Sequence, residues 1–273
     1  LAVIEVRVPG SSANLGPGFD VLGLALDIYS VAATAGDGEP ADARHPAVVA
    51  FVEAGGEGPL WVRTEIPMGR GLGYSASVRV AGATAAFVQL GLDDAEATEA
   101  ALGTAAALEG HSDNAAASAL GGAVIAAGDT VARIDLALAA SVVVWVPDHT
   151  TAGTDSSRRV LPEFIQLDDV ITNLGNLALL VTALTTGDPR ALGQATRDLV
   201  HQPGRLDALP DSADAIEAFF ELGAWGAWLS GSGPSVAAFV DPALAATVAA
   251  QLPSNGHAKV LAVDTDGAVV LRR

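Results

Sequence analysis

The chemistry available to this chain is concentrated in a few short runs rich in glycine and small polar residues. The most informative is PMGRGLGYSAS, residues 67–77. It follows an alternating stretch, residues 60–66, that predicts a strand, and runs into an alanine-rich stretch, residues 74–90, that predicts a helix. Glycines at 69, 71 and 73 permit backbone conformations that turn N–H groups inward. The helix behind them aims its positive end at the same space. Loop and helix end together make a cradle for phosphate, built from Pro67, Gly69, Arg70, Gly71, Leu72, Gly73, Tyr74, Ser75, Ala76 and Ser77. The run lacks the Gly-Lys-Ser/Thr ending of a Walker loop, and its glycine spacing is not that of a dinucleotide fingerprint. Taken alone, such a run also serves as a tight turn.

A carboxylate beside a phosphate cradle suits Mg2+, which takes a few hard oxygens and completes its shell with phosphate. Glu109, at the end of a predicted helix over residues 94–108, is the candidate, although a solvated helix end looks the same. Ser75 offers a hydroxyl to that metal, to a phosphate oxygen, or as a helix cap. Two further polar runs, PGSSANLGPGFD and EGHSDN, carry Asn14, Asp20, His111, Asp113 and Asn114. Asx-turns and caps are the structural alternatives for Asn14 and Asp113. No spacing of His, Asp and Glu supports a zinc site.

The elements that must position these runs mix strands and helices in blocks, which predicts an α+β fold. Strands are expected over residues 3–8, 21–33, 60–66, 141–147, 227–230, 236–240 and 259–264. Helices are expected over 46–54, 74–90, 94–108, 167–186, 189–201, 214–222 and 243–252, with another just before 167. Residues 9–20, 148–158 and HQPGRLDALP read as loops. A boundary near residue 138 divides the chain into residues 1–138 and 139–273.

Composition bounds the partners. The 273 residues carry 32 acids against 14 Lys and Arg, a net charge of −18. That excludes the electrostatic footprint of a nucleic-acid binder and of a protein docked on anionic membranes. Any anionic substrate needs a local device against the global field. Cysteine is absent, so disulfides, thiolate metal sites and cysteine nucleophiles are excluded. The opening LAVIEVRVPG alternates, unlike a signal peptide, and no uninterrupted spanning segment is expected. A cytoplasmic protein is the expectation.

Four motifs stand in order along the chain: PGSSANLGPGFDVLGLAL, IPMGRGLGYSAS, EGHSDNAAASALGG and LSGSGPSVAAF. Together they resemble the GHMP family of small-molecule kinases, in particular its homoserine kinase branch, over nearly the whole length. HQPGR and SSRRVLP resemble the same branch. The resemblance implies a two-domain fold, with a ribosomal-protein-S5-like N-terminal domain and a ferredoxin-like C-terminal domain. It implies ATP and Mg2+ as cofactors, the metal on Ser75 and Glu109, and phosphorylation of L-homoserine on the route to threonine. In that picture Asp20 takes the substrate ammonium, Arg158 and Arg205 its carboxylate, and Asn14, His111 and Asn114 its polar groups. Asn14 orients the hydroxyl, while Arg70, Glu109 and Arg205 complete the catalytic set. The late SGSGPS turn, residues 230–235, braces the phosphate loop. A homodimer is compatible with the resemblance. The chain's one lysine, Lys259, lies far from these motifs in sequence, so a lysine-assisted base is not expected. Tyr74 stands where the family usually has serine, adding a ring at the mouth of the cradle. Two other readings remain open: a kinase of the same family for another small alcohol, and a relative that binds an amino acid without transferring phosphate.

Overall fold

The computed structural model describes residues 3–149 and 154–273, with the backbone alone for 154–156. The first half opens with two long strands, β1 (Glu5–Asn14) and β2 (Gly18–Ala33), followed by helix α1 (Pro46–Glu53) and strand β3 (Trp61–Thr64). Helices α2 (Tyr74–Gln89), α3 (Asp94–Glu109) and α4 (Asp113–Leu120) come next, then strands β4 (Ala123–Ala127) and β5 (Thr130–Ile134). The second half runs β6 (Ser141–Pro147), α5 (Thr154–Arg159), α6 (Leu167–Thr186), α7 (Leu192–Ala195), α8 (Gln202–Asp207) and α9 (Pro210–Glu221). It closes with β7 (Gly226–Leu229), β8 (Val236–Val240), α10 (Ala245–Gln251), β9 (Gly256–Leu261) and β10 (Val269–Arg272). One sheet is ordered β10-β1-β2-β4-β5, with β3 also paired to β2; the other is β7-β8-β6-β9. The strand pairings within both sheets are antiparallel. The architecture is α+β, as expected, with helices packed on two antiparallel sheets.

Alanine sets the packing of the first half. Helix α2 buries Ala76, Ala81, Ala83, Ala85 and Ala86, and α3 buries Ala97, Ala101 and Ala105. Small side chains let these helices approach each other and the sheet closely, and the valines of β1 fill the space between. Helix α3 starts on a capping box between Asp93 and Glu96 and stops at Gly110, whose left-handed φ of 79° ends the helix and delivers Glu109 at its last position. A second core joins the sheets, with Leu22, Leu24, Leu26, Val142, Val144, Trp228 and Phe239 in one cluster.

Several expected boundaries move. Residues 9–14 are not a loop but the continuation of β1, because a register shift after Pro9 lets Gly10 to Ala13 pair with β2. No regular helix forms over residues 160–166, which include Pro162. The stretch 189–201 breaks after α7, and HQPGRLDALP contains α8. Strands β4, β5 and β10 and helix α4 form where no element is expected, and α5 begins inside the expected loop over residues 148–158. Helix α6 is long and apolar enough to cross a membrane by length and mean hydropathy, 1.3. It instead lays Asn173, Asn176, Leu180, Ala183 and Leu184 against the protein.

Candidate active site

The tight turn between β1 and β2 brings the first motif to a point. Asn14, Leu15 and Asp20 all have positive φ, at 75°, 48° and 55°. The second half of the chain holds this strained turn in place. Asn173 on α6 donates to the Pro17 carbonyl at 3.1 Å, and buried His201 donates from Nε2 to the Gly16 carbonyl at 2.9 Å. Asn14 is anchored on both sides, with one N–H and one lone pair to spare: its Nδ2 donates to Gly231 O at 2.9 Å, and its Oδ1 accepts from Asp20 N at 3.1 Å.

The glycine loop lies between this turn and the head of α2. Gly71, with φ 71°, passes so close to the late SGSGPS turn that a Cβ there would sit 2.2 Å from Ser230 O. Ser230 Oγ donates to Gly71 O at 2.7 Å and pairs with Ser12 Oγ at 2.7 Å. The late turn therefore braces the loop, as the family resemblance implied. Gly73, with φ 68°, caps α2 without a side chain, and a Cβ there would meet Ser11 Oγ at 2.2 Å. The N–H groups of Tyr74, Ser75 and Ala76 have no acceptor inside the helix and face the loop. Ser75 Oγ donates to Glu109 Oε1 at 2.6 Å. Arg79, one turn further along α2, forms an ion pair with Glu109 and donates to Ser75 Oγ at 2.9 Å.

A third group surrounds Phe19. Its ring stacks on the His201 imidazole at 5.0 Å and carries the Arg205 and Arg158 guanidinium carbons 5.1 and 5.8 Å from its centroid. Arg205, buried, donates to His201 Nδ1 at 3.0 Å and to Gly231 O at 3.2 Å. Arg158 Nη2 reaches both oxygens of Asp20 at 3.0 and 3.1 Å. His111 Nδ1 lies 2.8 Å from Oδ1 of the buried Asp113, which also accepts from Asn114 N at 2.8 Å. Asn114 Oδ1 in turn accepts from Ser11 Oγ at 2.9 Å.

These groups meet in one cavity of about 760 Å3. Asn14, Asp20, residues 69–76, Glu109, His111, Asn114, Arg158 and Arg205 all line it, so nearly every expected site residue converges. Pro67 and Ser77 do not. Ser77 is buried, and its hydroxyl is committed to the Val8 carbonyl at 3.1 Å. Arg70 lines the cavity but is also drawn to the Pro147 and Asp148 carbonyls at the end of β6. Lining residues that sequence reasoning did not single out include Pro46, Met68 and Ser157. Phe19, His201 and Arg79 were also not singled out; Phe19 and His201 lie within the motifs PGSSANLGPGFD and HQPGR, but each acts through partners distant in the chain.

Burial and partners set the charge states. The Asp113 hydrogen bond raises the His111 pKa, with burial opposing it. Burial lowers His201, and the Arg205 charge beside it acts in the same direction against Asp198. Burial also lowers Arg79 and Arg205 from the usual guanidinium range. Among the described residues no cluster of three or more His, Asp or Glu could hold a metal by itself. The hydroxyl of Ser75 and the carboxylate of Glu109 nonetheless fit a hard cation that takes its remaining ligands from phosphate and water.

Comparison with known proteins places these groups in a family. Residues 43–122 match the model of the GHMP kinases N terminal domain, and residues 180–258 match GHMP kinases C terminal. A homoserine kinase of Gloeobacter violaceus is 40% identical, covering 85% of this chain and 86% of its own. A homoserine kinase of Moorella thermoacetica is 36% identical, covering 97% and 99%. The crystal structure of homoserine kinase from Cytophaga hutchinsonii matches with a TM-score of 0.85 and 26% identity, covering 98% and 97%. A mevalonate kinase of Methanococcus jannaschii shares the fold, with a TM-score of 0.69 at 13% identity over 96% and 98%.

Proposed function

We propose that this chain, which belongs to the GHMP kinase family, transfers the γ-phosphate of ATP to the hydroxyl of L-homoserine, giving O-phosphohomoserine and ADP. One observation carries the reading. A single cavity is lined both by a glycine loop with the open N–H groups of α2 and by an acid, a histidine and two arginines suited to a zwitterion.

The residues divide the work. The N–H groups of Tyr74, Ser75 and Ala76 offer donors to phosphate oxygens at the positive end of α2. This is the local device that a chain of net charge −18 requires. Asp20 and Arg158 neutralise each other in the free protein. An amino acid exchanges that pair for two new ones, its ammonium on Asp20 and its carboxylate on Arg158 and Arg205. Asn14, fixed between Gly231 and Asp20, holds the acceptor hydroxyl toward the cradle, and His111 and Asn114 complete the polar wall. Ser75 and Glu109 would hold Mg2+, which would supply positive charge against the build-up on the transferring group. Arg70 adds positive charge at the loop. Lys259 lies on β9, away from the cavity lining. The reading therefore rests on positioning and charge stabilisation rather than on a lysine-assisted base.

The same reading includes a division near residue 138, just before the second sheet begins at Ser141, with β10 returning to the first sheet. It also includes a cytoplasmic location, a homodimer, and no nucleic-acid or membrane partner, which the acidic charge supports. The test is a coupled assay of ADP release with homoserine, threonine and serine, joined to phosphorus NMR of the product. A new phosphomonoester made fastest from homoserine is expected. Transfer that favours threonine, or binding with no phosphomonoester above a control without enzyme, would overturn it.

A further inference from the structure

Tyr74 does not turn its hydroxyl into the phosphate cradle. The Tyr74 oxygen lies 3.0 Å from Nε2 of His45, the residue at the head of α1. His45 uses its other ring nitrogen as a helix cap: Nδ1 accepts from Ala47 N at 3.2 Å. A neutral imidazole has one donor and one acceptor. Because Nδ1 must accept, Nε2 must carry the proton and donate to the Tyr74 oxygen. The Tyr74 hydroxyl proton is then left over. The helix cap thus decides, two hydrogen bonds away, that Tyr74 is a donor toward its surroundings.

Those surroundings are the cavity. Tyr74 lines it together with Pro46, which follows His45, and with Met68, 70% exposed. Ring, proline and thioether make an apolar wall beside the phosphate loop, suited to a flat heterocycle and unsuited to phosphate or a zwitterion. Burial lowers the His45 pKa and raises that of Tyr74, so both stay neutral near pH 7.

We propose that His45 and Tyr74 form a donor relay that presents the Tyr74 O–H to an acceptor atom on the nucleoside of the phosphate donor. Tyr74 is the contacting group and His45 the positioning residue. The inference rests on the reading of the cavity as a nucleotide site.

The test is calorimetric binding of ATP and of inorganic tripolyphosphate to the wild type and to Tyr74→Phe, which keeps the ring and its packing. The phenylalanine form should bind ATP about three- to tenfold more weakly, the worth of one neutral hydrogen bond, with tripolyphosphate unchanged. Equal ATP affinity in the two proteins overturns the relay alone. A wild type that binds neither ligand overturns the nucleotide reading, and the relay with it. Two variants of His45 separate positioning from structure. His45→Asn keeps an acceptor near Nδ1 and should retain stability while weakening ATP. His45→Gln keeps a donor near Nε2 and should lose stability while retaining ATP affinity. Nitrogen NMR of the wild-type imidazole should find the proton on Nε2, and a proton on Nδ1 would refute the mechanism.

Discussion

The guanidinium of Arg79 rests on the carboxylate of Glu109, the group that also takes the Ser75 hydroxyl. A cation of the protein's own is thus paired with the carboxylate proposed to hold Mg2+. Arg79 is only 20% exposed in its side chain, and its Nε is buried without a hydrogen-bond partner. The pair is therefore incompletely satisfied and open to exchange. Arg79→Met should raise affinity for Mn2+ several-fold, read by electron paramagnetic resonance as loss of the free-ion signal. Unchanged or weaker affinity would mean that Arg79 does not compete for the carboxylate.

Glu109→Gln removes the charge while keeping the shape. Its loss should reduce kcat by about 3 kcal/mol of transition-state stabilisation, roughly a hundredfold. Homoserine binding should change little, because in the proposed function the carboxylate serves the phosphate side of the cavity. Turnover near the wild-type value at saturating Mg2+ would show that the residue is a helix-end acid and nothing more.

Gly71→Ala forces a left-handed φ on a residue with a Cβ, at a cost of about 1–2 kcal/mol. It also drives that Cβ against the Ser230 carbonyl, which sits 2.2 Å from the ideal position. The variant should melt several degrees lower and bind ATP more weakly. A wild-type melting curve would mean that the loop and the late turn are not in contact in solution.

Acid should loosen the amino-acid side of the site through His201. Its folded pKa lies below the ordinary value of about 6.5, because the ring is buried beside Arg205. The fold thus binds fewer protons than the unfolded chain between those two values. The His201 contribution to stability is complete above about pH 6.5 and is lost as pH falls through the lower folded pKa. His111, raised by Asp113, runs the other way: its contribution is present below about pH 6.5 and fades as pH climbs through its folded pKa. Melting curves from pH 8 to 5 should show the acid-side fall, and His201→Gln should flatten it. An unchanged slope would remove His201 as its source.

The phosphate loop was legible because its signal is local: three glycines, a strand before and a helix after. The place of Glu109 at the end of a helix is legible for the same reason, whereas its metal role is implied only by the family resemblance. Phe19 was not, because its role comes from stacking on His201 and carrying two arginines from residues 158 and 205. Arg79 was overlooked because its partner enters from α3. In sequence Tyr74 is only a ring at the cradle mouth, whereas its hydroxyl is taken sideways by His45, in a segment whose sequence gives only a proline-led helix start. The turn at 15–17 was expected as a longer loop because Gly and Pro dominate the run, yet β1 and β2 pair through most of it.

The contact between Ser230 and Gly71 joins residues 159 positions apart. A phosphate loop is commonly treated as a portable cassette that travels with its strand and helix. Here it is not portable. A fragment ending near residue 138 would carry every glycine of the loop but neither the serine that accepts its shape nor the Gly231 carbonyl that holds Asn14 and Arg205 together. Nucleotide binding should therefore arise late in folding, as a property of the docked halves, and a separately made first half should regain it only when the second half is added back.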